Sequence, residues 1–154
     1  MGSRSDSPRP AADDTAAPKM TYLVGRLHRA LRKRIGDALR PFELSVAQYT
    51  TLSVLMTRGQ LSNAALANRA FISPQAMNEV VQTLEARRLV TRRADSSHGR
   101  IVHLLLTARG LDVVRKCDAA VAGLEHAMLE ALPATQRNAL RAALVKCTQA
   151  LESG

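Results

Sequence analysis

The run of signals between Ser62 and Thr107 constrains the fold most. Ser62 can cap a short helix that carries Ala65 and Leu66. Residues 70–72 (Ala-Phe-Ile) then read as a turn. Ser73 followed by Pro74 is an N-cap and first-turn pair that opens the next helix. That helix places Met77, Val80, Val81 and Leu84 on one face and runs to about Arg87. Two β-prone runs follow, 90–95 (VTRRAD) and 100–107 (RIVHLLLT), around Ser96-Ser97-His98-Gly99. Strand-like runs about a four-residue, glycine-containing turn are a hairpin pattern. Two short helices joined by a tight turn, with a hairpin directly after them, are laid out as a winged helix.

The flanks are helical. Leu23, Leu27, Leu31, Ile35 and Leu39 recur every four residues, with Arg26, Arg29, Arg32, Lys33 and Arg40 between them, up to Pro41. Ser45 and Gln48 have capping-box spacing ahead of a stripe of Val46, Tyr49, Leu52, Leu55 and Met56, and Gly59 can close that helix. Thr107 can cap a further helix with the stripe Val114, Cys117, Val121, Leu124 and Met128. Those steps of three and four are a heptad seam that wants a facing helix. Pro133 interrupts it, and Leu140, Leu144, Cys147 and Leu151 line one face of a last helix. The expected fold is mainly α, about six helices plus a β-hairpin wing. Residues 45–107 form the winged helix-turn-helix region, and 19–44 with 108–154 form a helical dimerisation region. Residues 1–18 read as a mobile tail.

The net charge of +9 is concentrated. Residues 19–44 hold seven basic and two acidic groups and residues 45–107 hold seven and three, while the tail and the last helices nearly balance. A solvated cationic face and a polyanion-binding face both fit that excess. Four aromatic residues and no Trp argue against a single-strand binder, which needs stacking platforms. No stretch is long and apolar enough to span a membrane, and no leader pattern opens the chain, so a cytoplasmic location is expected. No phosphate loop, His-Glu-x-x-His or nucleophile elbow occurs, so no enzyme is expected. The four histidines are scattered without cysteine neighbours, so neither metal nor cofactor is expected.

The chain resembles the MarR/SlyA family of winged-helix transcriptional regulators over residues 19–152. The resemblance rests on Leu66-Ala67, Ser73, Leu84-Glu85, Leu89-Val90 and a wing ending in Leu106-Thr107. The family's wing signature is Asp-x-Arg, five residues, then Leu-Thr. Arg100, Leu106 and Thr107 match, His98 stands at the Asp position, and Arg88 replaces the usual Gly before Leu89. The resemblance implies a homodimer whose first, fifth and sixth helices pair. One winged helix per subunit would read each half of a near-palindromic duplex. In many members a small-molecule crevice lies between the two regions. Leu23, Leu27, Val114, Cys117, Val121, Leu124, Leu144 and Leu151 are the candidate dimer contacts.

The fourth helix turns Gln75, Ala76, Asn78, Glu79 and Gln82 outward. Amides can pair bidentately with adenine and a carboxylate accepts from cytosine, while Ser73 and the first-turn N–H groups suit a phosphate. An ordinary solvated helix face would look similar in composition. On the wing, Arg100 is the candidate for the minor groove and Arg92 and Arg93 for phosphates. Asp95 is the substitute partner for Arg100, beside His98 and Gly99 in the turn. The basic run His28, Arg29, Arg32, Lys33 and Arg34 fits a solvated face or crevice lining better than DNA contact. There its cations would suit a phenolic or carboxylate effector. Cys117 and Cys147 read as core residues, and the reactive first-helix cysteine of the family's hydroperoxide sensors is absent. Two readings stay beside that of a repressor. One is a winged-helix dimer acting as a protein-interaction module, and the other is a cysteine-based redox regulator.

Overall fold

In a computed structural model, residues 17–94 and 102–153 are described. Helix α1 spans Met20–Leu39 and is followed by a 3-10 turn over Arg40–Phe42. Helix α2 is Val46–Arg58, strand β1 Leu61–Ser62, helix α3 Asn63–Arg69 and helix α4 Pro74–Ala86. Strands β2 (Val90–Ala94) and β3 (Val102–Leu106) lead to helices α5 (Ala108–Leu129) and α6 (Ala134–Glu152).

Local chemistry sets most boundaries. At α2 the capping box is complete: Ser45 Oγ accepts from the Gln48 amide at 3.2 Å, and Gln48 Oε1 accepts from the Ser45 amide at 2.9 Å. Ser62, Ser73 and Thr107 cap α3, α4 and α5 in turn, each taking an amide three residues on at 2.9–3.2 Å. Gly59 ends α2 at φ 79°, a value that glycine adopts without strain.

The strands form one antiparallel sheet in the order β1-β3-β2. In the hairpin, Val90 faces Leu106, Arg92 faces Leu104 and Ala94 faces Val102. Strand β1 was not expected. It pairs Leu61 with Leu104 and Ser62 with His103, and two residues are too short to show an alternating pattern. The core gathers Leu39, Leu52, Leu55, Leu66, Met77, Val81, Leu84, Leu89 and Leu104, with Val114 and Cys117 from α5. It therefore lies under the sheet, between α2, α4 and the start of α5.

The corner after α4 is tightly built. Arg88 takes φ 57°, the left-handed conformation of a helix terminator, without being glycine. Thr107 braces that corner: its hydroxyl donates to Arg88 O at 2.7 Å, and its amide donates to Leu89 O at 3.0 Å. Gly110 then passes so close that a Cβ there would lie 1.9 Å from Leu89 O. Nearby, Arg87 donates to the carbonyls of Glu43 at 2.6 Å and Phe42 at 2.9 Å, tying the end of α4 to the α1–α2 connection.

The heptad stripe of α5 divides. Val114 and Cys117 are completely buried within the single chain, so neither can lie on a surface between two copies. Both were expected in the dimer seam, and Cys117 was also read as a core residue, the reading its burial supports. The correction follows from α1 and α2, which both pack against α5 and share one core with that part of the stripe. Val121 and Leu124, further along, stay partly exposed. Leu23, Leu27, Leu144 and Leu151 are exposed, and α6 contains no buried residue. Among the described residues no helix is long and apolar enough to cross a membrane.

Candidate nucleic-acid interface

Helix α4 is held by one face and free on the other. Met77, Val81 and Leu84 are buried with at most 1% exposure, whereas Gln75, Asn78, Glu79 and Gln82 are exposed and Ala76 is half-buried. Ser73 Oγ accepts from the Ala76 amide at 3.1 Å, and Asn63 Nδ2 of α3 donates to Pro74 O at 3.4 Å, so the first turn is fixed from two sides. No acidic residue occupies that turn. The positive end of the helix is thus uncompensated, a setting that favours an anion.

The wing stem stands beside this helix. Arg93 is exposed, opposite His103 on β3. Arg92, expected on a phosphate, faces Glu85 of α4 in this structure. Its Nε lies 2.8 Å from Oε1 and its Nη2 lies 3.0 Å from Oε2, a two-pronged ion pair. Sequence reasoning did not find this pair. The signal was an acid and a base seven residues apart, one in a helix and the other in the following strand, so no single periodicity relates them. Asp95, His98, Gly99 and Arg100 lie outside the described residues.

Two groups next to α5 concern the redox alternative. Tyr49 Oη of α2 donates to Asp118 Oδ1 at 2.8 Å. Burial first, and then that carboxylate, push the phenol well above its ordinary value. Burial likewise pushes the Cys117 thiol up, helped by Asp118 and opposed by Arg87. A buried thiol kept protonated is a poor nucleophile. Cys147, expected in a core, is exposed on α6. Its helix face finds no cover within the chain.

A groove of about 780 Å³ lies between α2, the α3–α4 turn and the end of α6, lined by Ser53, Val54, Thr57, Arg58, Asn68, Arg69, Phe71 and Glu152. Its cations are Arg58 and Arg69. The arginines of α1, expected on a solvated face or a crevice lining, do not line this groove. Among the described residues no group of three or more His, Cys, Asp or Glu side chains is placed to hold a metal ion.

The comparisons agree with this geometry. The model of the MarR family matches residues 42–101. The HTH-type transcriptional repressor Rv2887 of Mycobacterium tuberculosis is 36% identical over 135 residues, covering 88% of this chain and 95% of that protein. The crystal structure of Rv2887 in complex with salicylic acid superposes with a TM-score of 0.70 at 34% identity, covering 86% of this chain and 98% of the other. Apo MarR from E. coli shares the fold at a TM-score of 0.75 and 18% identity, over 86% and 98% of the two chains. Family, winged-helix fold and the exposed polar face of α4 converge: the chain belongs to the MarR family of transcriptional regulators, a family without enzymatic activity.

Proposed function

We propose that the chain is a homodimeric repressor that reads a near-palindromic duplex with α4 and its wing, and that a small aromatic acid releases it. The observation that carries this reading is the division of α4. Its apolar face is locked into the core, and its amides and carboxylate project from a rigid, N-capped helix beside a basic hairpin. In this reading Gln75, Asn78 and Glu79 meet base edges, with Ala76 and Gln82 alongside them. Ser73 and Arg93 meet phosphates, and Arg100 meets the minor groove. Residues 45–107 are the reading region, and 19–44 with 108–154 pair two copies.

The effector assignment rests on the groove. Arg58 and Arg69 offer charge to a carboxylate against the single acid Glu152, Ser53 and Thr57 offer hydroxyls, and Val54 and the exposed Phe71 offer apolar surface. Rv2887 has been crystallised with both salicylic acid and p-aminosalicylic acid.

The test is selection of bound duplexes from a random library, followed by salt titration. Two-fold-related half-sites should emerge. Affinity should fall steeply with salt, with a log–log slope of about 0.9 per phosphate neutralised. Failure to enrich any sequence, or a flat salt dependence, contradicts the reading. Salicylate should then displace the selected duplex from wild type and not from Arg58→Ala.

A further inference from the structure

Glu85 and Arg92 join two elements that the proposed function uses together. Glu85 lies one residue before the end of α4, and Arg92 is the central residue of β2. Between them the chain ends a helix, turns through the left-handed corner at Arg88 and enters the sheet. The two-pronged contact closes that corner from outside, at 2.8 and 3.0 Å. Arg92 also faces Leu104 across the hairpin, and Leu104 is only 1% exposed. The arginine stem therefore lies on the sheet face that covers the core, and its guanidinium is turned toward α4.

The pair is partly exposed, with side-chain values of 46% for Arg92 and 29% for Glu85. Such pairs add little to stability. Their geometry is still restrictive, because a planar guanidinium gripping both oxygens of one carboxylate fixes orientation as well as distance. The charge of Arg92 is answered by Glu85, so it is less available to a phosphate than that of Arg93. We infer that Glu85 and Arg92 are positioning residues: the pair sets the angle between reading helix and wing, so that both meet adjacent grooves in one register. This rests on the duplex-reading function proposed above.

Glu85→Gln separates this inference from simple electrostatics. The substitution keeps the shape, breaks the ion pair and adds one unit of net positive charge. If Arg92 were a phosphate ligand restrained by Glu85, every duplex would bind more tightly, with a salt slope steeper by about 0.9 per subunit, or about 1.8 per bound dimer. The positioning role predicts the opposite for the selected duplex. Its affinity drops about tenfold while a random duplex binds as before or slightly better, so the ratio of the two collapses. Arg92→Lys keeps the charge, cannot grip both oxygens and should lower the same ratio. Urea unfolding of both variants, expected within error of wild type, separates positioning from folding. If Glu85→Gln does not fold, Arg92→Lys alone decides. Tighter binding, or an unchanged ratio in a folded variant, overturns the inference. A wild type that discriminates no sequence overturns the duplex-reading function itself.

Discussion

At residue scale, two neighbours show how little room the corner after α4 allows. Arg88 holds a left-handed backbone that glycine adopts freely. Arg88→Gly should therefore raise the unfolding free energy by about 1 kcal/mol, read from urea denaturation. Gly110 presents the opposite case. A methyl group there meets the Leu89 carbonyl, which Thr107 already holds in place, so the neighbour cannot yield. Gly110→Ala should cost about 3 kcal/mol, and a loss below about 1 kcal/mol would show that the corner is softer than its geometry. The resemblance to the family signalled the first position, because Arg88 stands where the family usually has glycine. The sequence was silent on the second, since a glycine inside a helix reads only as a weak helix former.

At element scale, the junction of α2 with α5 makes stability depend on alkaline pH. The Cys117 thiol and Tyr49 phenol are both raised in the folded chain, chiefly by burial. A raised acid stays neutral when folded but ionises readily once unfolded, so unfolding releases protons in this range. The stabilisation is complete below the ordinary thiol value of 9.0 and is lost as pH climbs past it toward the raised value. Stability should decline from about pH 9 upward. Cys117→Ala should start lower, because it leaves a cavity, and decline less steeply. An identical slope in the variant would sink the assignment. The caps of α2, α3, α4 and α5 were legible because each is a hydrogen bond within four residues of sequence. Strand β1 was not, because its existence depends on β3 arriving from some forty residues away.

At the scale of the whole molecule, α1 and α6 carry an apolar surface that the chain itself leaves open. Met20 is 73% exposed, Tyr22 58%, Leu144 45%, Val145 51% and Leu151 86%. Helix α6 has no buried residue, so its apolar face is left uncovered by the chain. In the proposed dimer Leu144→Glu should produce monomers in sedimentation and lower duplex affinity. Val114→Ala should cost about 2 kcal/mol of chain stability and leave the dimer intact, since Val114 lies in the chain's own core. A dimer unaffected by Leu144→Glu would place the contact elsewhere.

By itself the sequence determined where the helices and the wing strands begin and end, which face of α4 is polar and where positive charge gathers. Those properties follow from hydrogen bonds and side-chain periodicities that act within a few residues. The tertiary structure alone decided who meets whom. It gave Val114 to the chain's own core, left Val121, Leu124 and Cys147 outside it, and turned Arg92 toward Glu85. A heptad stripe states that a helix must face something, and a cation states that it wants an anion. The identity of either partner is fixed only when distant segments compete for the same surface.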